Sequence, residues 1–217
     1  MQKKILKILI IGAGGHAQVV ADIIRLDPKN YRAIGFIDVH IELHGKMIQG
    51  IPVLGSSELI SETLHDGLVV AIGNNQTRAN VFSKLVTQGE NLINAIHPSA
   101  VIANDVSLGQ GVVICAGVTV NPGAVIHNNV ILNTHCSVDH HNEINDHVHI
   151  APGCVLGGDV SVGEGTLIGI GATVMPQKKI GSWSKIGAGA VVTKDIPDQA
   201  TAVGIPAEYT VNSLEEG

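Results

Sequence analysis

Two patterns of apolar positions divide the chain. Through about residue 97, short aliphatic runs alternate with stretches of helical spacing. Strands are predicted at 7–11, 33–37, 68–72 and 93–96, with a loop carrying a short strand at 50–55. A helix is predicted at 17–26, where Val19, Val20, Ile23, Ile24 and Leu26 share one face, and further helices at 58–63 and 76–88. Strands alternating with helices imply a small parallel sheet, so residues 1–97 are expected to form an α/β, Rossmann-like domain.

From residue 102 the beat changes to six. Stepping by six from Ile102 reaches Leu108, Ile114 and onward to Val192, and all sixteen positions are Ile, Leu or Val without an insertion. The position four later is mostly small or apolar, as at Val106, Val112, Ala124, Cys136, Cys154 and Ala172. The residue directly after each aliphatic is often Gly, Ala, Asn or Asp, the types that tight corners need. A period of six fits neither a helix nor a plain strand. It fits a β-helix of short faces, three of which close one coil of about 18 residues. Residues 98–217 are expected to form this all-β domain, with the aliphatics stacked as one column.

Composition sharpens the picture. The chain has 217 residues, 45% of them hydrophobic, yet only five are aromatic and 26 are glycine. Aliphatic and small side chains must therefore fill the core. The net charge of −6, with no basic run, argues against a nucleic-acid partner. No run approaches the length needed to span a bilayer, and the apolar stretch near the start is too short for a signal peptide. The three cysteines, Cys115, Cys136 and Cys154, cannot all pair within the chain. They read as reduced and intracellular, with Cys136 and Cys154 stacked 18 residues apart inside the β-helix. A cytoplasmic protein with no membrane association is expected.

Particular motifs narrow this further: the turn Gly12-Ala-Gly14-Gly15-His16-Ala17, the segment Asn133-Thr-His-Cys-Ser-Val-Asp139-His140-His141, Val148-His149-Ile-Ala-Pro-Gly, and the ending Val203-Gly-Ile-Pro-Ala. Together with the hexapeptide repeat, the chain resembles the sialic acid O-acetyltransferase/nucleotide-amino-sugar N-acetyltransferase family over roughly residues 5–205. That resemblance implies a left-handed parallel β-helix and a homotrimer. It also implies acetyl-CoA as cosubstrate, a nucleotide-activated amino sugar as acceptor, and no metal.

The implied reaction moves an acetyl group from a thioester to an amine. It needs a base, a donor for the transient oxyanion, and grooves that hold both substrates. Six of the eleven histidines crowd residues 127–149. By resemblance His140 is the base, Asn133 contacts the sugar, and His149 lies near the thioester end of acetyl-CoA. His149 also stands out by itself, because its stacking neighbours at 18 residues, Ile131 and Leu167, are aliphatic. The family follows its base with Glu or Asp, which orients the imidazole. Here that place is His141, so Asp139 or Glu143 is expected to supply the carboxylate unless the base works with less help. Gly158, Ile170, Gly187 and Ala188 are implied walls for acetyl-CoA, with Lys178, Lys179, Lys185 and Lys194 as candidates for its phosphates. The family's ending carries a Lys where Glu208 stands.

In the N-terminal half, Gly12-x-Gly14-x-x-Ala17 fits a relaxed dinucleotide fingerprint, with a helix N-terminus placed to meet a pyrophosphate. Gly12, Gly14, Gly15, His16, Asp38, Gly73 and Asn74 are the candidates for holding the nucleotide sugar, with Arg78 a weaker one. O-acetylation of sialic acid or another sugar hydroxyl is the nearest alternative activity. A non-catalytic sugar-nucleotide-binding protein and a small NAD-dependent oxidoreductase are alternatives of other classes.

Overall fold

The computed structural model describes residues 4–211. They divide after Pro98 into two compact units.

In the first unit, β1 (Leu6–Ile11), β2 (Tyr31–Ile37), β3 (Met47–Ile48), β4 (Ile51–Gly55) and β5 (Gly67–Val70) form one sheet in the order β3-β4-β2-β1-β5. All pairings are parallel except the β3–β4 hairpin. The short strand expected within 50–55 is β4, a full member of the sheet. The helices are α1 (Gly15–Arg25), α2 (Leu59–Glu62) and α3 (Asn75–Thr87). Along β1, Leu9 and Ile11 enter a core with Ile60, Leu68, Phe82 and Leu85. Ile8 and Ile10 point the opposite way and are also buried, as are Val20, Ile23 and Ile24 of α1. Both faces of the sheet are covered, which is why β1 reads as an unbroken aliphatic run. β1 lies between β2 and β5, so the chain leaves its C-terminal end to opposite sides, the place where open α/β sheets form a crevice.

The second unit is a parallel β-helix of two-residue strands on three faces. One face stacks Val101–Ile102, Thr119–Val120, Ser137–Val138, Val155–Leu156, Thr173–Val174 and Val191–Val192. The next runs from Ser107–Leu108 to Lys179–Ile180. The third includes Val113–Ile114, Ile131–Leu132, His149–Ile150, Leu167–Ile168 and Lys185–Ile186. Each strand pairs with the residues 18 further on, as in Val120 with Val138 and Val138 with Leu156. Of the sixteen repeat aliphatics, all but Ile102 and Leu108 are buried; those two sit on the first coil, stacked on one side only. The beat slips after Val192: Lys185 pairs with Thr201 and Ile186 with Ala202, an offset of 16, and an antiparallel strand Glu208–Val211 ends the stack.

The corners differ from the sequence expectation. The left-handed residue is the third after each aliphatic, not the first. It recurs every six residues through Gly117, Gly123, Asn129, His135, His141, His147, Gly153 and Asp159, all with φ between 56° and 75°. Asn and Asp tolerate this region. His135 and His141 stand there with their rings laid outward, over Gly117 and Gly123 one coil earlier, where an added Cβ would lie within 2.6 Å of the ring, whereas His147 is buried and bonded to Asn129. Cys115, Cys136 and Cys154 are all buried and unbridged. Burial pushes the Cys115 thiol up to about 11 and raises the other two, so none is a ready nucleophile.

Candidate functional site

The first unit holds a cavity of about 690 Å³ at the C-terminal ends of β1, β2 and β5. Six of the seven primary candidates there line it: Gly12, Gly14, Gly15, His16, Asp38 and Gly73. Gly12 has φ +103°, and a Cβ on it would come within 3.0 Å of the Ala71 carbonyl oxygen, so the turn requires glycine. Gly14 and Gly15 have open space where a Cβ would stand. Gly14 is the N-cap of α1 and brings no capping side chain, so the helix start faces the cavity with backbone N–H groups. Asp38 ends β2 and clamps this turn: its Oδ2 accepts from the Ala13 amide at 2.7 Å, and its Oδ1 accepts from the His40 amide at 2.9 Å and its Nδ1 at 2.6 Å. Burial alone pushes the Asp38 carboxyl up, but these bonds outweigh it and hold it below its ordinary value, while the carboxylate raises His40. His16 is driven the other way. Burial, aided by the Arg78 charge, pushes its imidazole down to about 4, so it meets the cavity as a neutral ring.

Asn74 does not line the cavity. Its side chain accepts from the Thr77 amide at 2.9 Å and caps α3. Arg78 is fully buried, donating to the carbonyls of Ile72 and Gly73 and to Asn75 Oδ1, and so staples the loop after β5. Sequence reasoning missed His40, Ser57, Thr77, Lys84 and Gln88, which also line the cavity. Thr77, Val81, Lys84, Leu85 and Gln88 fall on one stripe of α3, a signal present in the helical spacing.

In the β-helix, the candidate residues fall into two separate groupings. Asn133 Oδ1 accepts from the Thr134 amide at 2.8 Å, which turns Nδ2 to donate to His149 Nε2 at 3.1 Å. This pair stands at the end of the third face. His140 follows Val138 at the next edge of the prism. Its ring lies over Gly158, where any Cβ would collide with it, and its Nδ1 hydrogen-bonds to His141 Nδ1 at 3.0 Å, the two rings edge to face. Both rings are exposed. Within one chain, then, Asn133 joins His149, and His140 joins His141, on different edges.

The two expected carboxylates are engaged elsewhere. Asp139 Oδ1 accepts from Asn121 Nδ2 at 2.7 Å and from the His140 backbone amide at 2.8 Å, and these bonds hold its carboxyl below its ordinary value. Glu143 faces His127, 3.5 Å away. Asp159, 18 residues beyond His141, is a further carboxylate near both rings: one ring nitrogen of His140, one of His141 and a carboxylate oxygen of Asp159 all lie within 4.8 Å of one another. Gly158 is buried beneath His140, and Ile170 and Ala188 are exposed on the outer wall. Gly187 is covered by Val203. Lys194 pairs with Glu208 and lies over the Tyr209 ring, so the glutamate in the tail holds a lysine that was a candidate for CoA phosphate.

Residues 7–85 match the model of the PglD N-terminal domain and residues 91–185 that of the GMPPB C-terminal domain. The acetyltransferase domain of PglB from Neisseria gonorrhoeae, solved in complex with acetyl coenzyme A, is 34% identical, with a TM-score of 0.88 over 95% of this chain and 100% of that one. This chain belongs to the sialic acid O-acetyltransferase/nucleotide-amino-sugar N-acetyltransferase family. The family's left-handed β-helix, its acetyltransferase chemistry and its use of acetyl-CoA come with that membership. PerB from Caulobacter crescentus, solved with CoA and GDP-perosamine, is 38% identical, with a TM-score of 0.86 over 94% of this chain and 96% of that one. A UDP-N-acetylbacillosamine N-acetyltransferase of Bacillus subtilis is 37% identical over 113 residues, 50% of this chain and 51% of that protein. The chain spans about half or less of the curated relatives it matches. Among the described residues no helix is long and apolar enough to cross a membrane.

Proposed function

We propose that this family member is a cytoplasmic N-acetyltransferase that moves the acetyl group of acetyl-CoA onto the amine of a nucleotide-linked sugar, a 4-amino-4,6-dideoxy sugar in particular, for surface-glycan synthesis. The observation that carries this reading is the joint presence of the glycine-turn cavity in one unit and the Asn133–His149 and His140–His141 pairs in the other. The same combination of units runs the length of relatives whose complexes hold CoA together with an amino-sugar nucleotide.

In this reading the helix start behind Gly14 and Gly15 receives the diphosphate, and neutral His16 donates or accepts at the sugar end without adding charge. His140 spends Nδ1 on His141, which leaves Nε2 for the acceptor. The amine attacks the thioester carbonyl, a C–N bond forms, and Nε2 takes the amine proton. The oxyanion then collapses, the C–S bond breaks, and His140 returns the proton to the departing thiolate. Asn133 holds His149 beside the thioester, and Gly158 admits the base ring close to the wall. The two pairs occupy different edges of one prism, so a complete site needs the edge of a neighbouring copy. Exposed Val155, Ile170 and Met175 on the outer surface supply apolar area for such packing, in keeping with a homotrimer.

The test is thiol release from acetyl-CoA with UDP-, dTDP- and GDP-linked 4-amino sugars, and sialic acid as control. Turnover is expected with an amino sugar and is expected to fall by roughly 10²–10⁴-fold in His140→Ala, the range for loss of a general base. Release with the hydroxyl acceptor alone overturns the N-acetyl reading.

A further inference from the structure

The base reading leaves one question. The residue after His140 is a histidine, and both neighbouring carboxylates are committed to other partners. The fold itself offers an answer. Residues 18 apart stack, so the corner after His141 in the axial direction is Asp159; both adopt the left-handed conformation, with φ of 56° and 58°. The Asp159 amide donates to the His140 carbonyl at 3.0 Å, which pins the two coils together at this point. The glycine beside it, Gly158, lets the His140 ring settle onto the next coil, toward that carboxylate.

We infer that Asp159 is a positioning residue for acetyl transfer: its carboxylate, one coil along, replaces the acid missing after His140 and acts on the base through the His140–His141 pair. This rests on His140 being the base. The groups facing the pair are few. On their own coil stands Asp139, bound to Asn121 and to the His140 amide, with its carboxylate also attracted to the His140 ring. The preceding coil presents Asn121, Pro122 and Gly123, which carry no charge, and the following coil presents Gly158 and Asp159. When Nε2 of His140 takes a proton from the acceptor, the positive charge spreads over a ring that has a nitrogen within 4.8 Å of an Asp159 carboxylate oxygen, and the Nδ1–H of His140 donates to His141. A carboxylate at that distance favours the protonated ring and holds His141 as the acceptor. No covalent step is added; only the proton's resting place is stabilised.

Asp159→Asn tests this with little risk to the fold, because Asn129 already occupies an equivalent corner. With a chelator present throughout, the variant is expected to lose roughly 5- to 20-fold in kcat, a change of about 1–2 kcal/mol at 1.4 kcal/mol per tenfold, with KM for both substrates unchanged. The acid limb of its pH–kcat profile moves to lower pH, and Asp159→Glu restores part of the rate. Histidine NMR of the protein without substrate supplies a second measurement: the ring-nitrogen signals of His140 and His141, which report the hydrogen bond between them, move in Asp159→Asn. Unchanged kcat, pH profile and ring-nitrogen signals in a folded Asp159→Asn overturn the inference. So does a loss of rate that appears only in KM. If the ring-nitrogen signals move while wild type acetylates no amino sugar, the substrate reading fails and the Asp159 inference stands.

Discussion

The two units hold their structures in different ways, and the difference shows where function is written in each. In the β-helix, interior and exterior are separate alphabets. The inward column is Ile, Leu or Val throughout, so nearly every coil is interchangeable with its neighbour. The candidate site side chains point outward from this column, His149 from a strand and His140 and His141 from a corner where they rest on glycines of adjacent coils. In the α/β unit the same atoms do both jobs. Asp38 fastens the glycine turn to the end of β2 and also lines the cavity. An outward corner side chain such as His140 can thus change without touching the aliphatic column, whereas Asp38 cannot change without loosening the turn that lines the cavity.

The largest test of this contrast lies in the column. Ile144 is fully buried between Ile126 and Val162 of the adjacent coils. Ile144→Ala is expected to cost about 2–5 kcal/mol, read as a shift in urea denaturation. Hydrogen exchange is expected to rise in the coils on either side and stay unchanged across residues 6–87, because coils depend on their nearest neighbours. Equal loosening of both units would end the claim that they are separately held.

The next effect belongs to the α/β unit alone. His16 titrates near 4 when folded and near 6.5 when unfolded. Between those values the unfolded chain binds more protons, so stability rises with pH across the window and is lost as pH falls from 6.5 toward 4. The shift corresponds to as much as about 3 kcal/mol. Exchange measured at pH 7 and pH 4.5 is expected to show the loss in residues 6–87, and His16→Gln is expected to flatten it. A β-helix that loosened by the same amount would contradict the assignment to His16.

The contrast also explains how much was legible in the chain. The β-helix was readable almost residue by residue, because stacking repeats one environment sixteen times and any mismatch stands out. His149 stood out for that reason, and the structure joins it to Asn133. What the repeat hid was the corner itself: the left-handed residue is two places beyond the Gly, Ala, Asn or Asp that suggested it, since small residues there answer close approach of the next coil. Asp159 was invisible for a related reason. It is adjacent to His141 only through the 18-residue stack, and nothing local marks it. In the α/β unit the strands and the glycine turn were readable, and most of the cavity followed. Asn74 misled because a polar residue at a strand end can serve a ligand or cap a helix, and here it caps α3. Lys84 and Gln88 were missed because an exposed helical stripe looks the same whether it faces a cavity or water.

The finest test joins fold and site at one residue. Asp38→Asn keeps the shape of the side chain and removes its charge. In the wild type both carboxylate oxygens accept N–H groups, from Ala13 on one side and His40 on the other. An amide has one accepting end, so its NH2 must face one of those N–H groups, donor against donor. The cost to the α/β unit is expected to be about 1–3 kcal/mol. Its sign with pH is distinctive. The folded carboxyl titrates below its ordinary value, so the advantage of Asp over Asn is present above about pH 4 and vanishes as pH falls through the depressed value. Calorimetric binding of a nucleoside diphosphate is expected to weaken in the variant, because the glycine turn loses its tether, while acetyl-CoA binding is unchanged. An Asp38→Asn protein with full stability and weakened nucleotide binding would show that the α/β unit, too, keeps its site apart from its fold, and the contrast between the two units would then be one of degree.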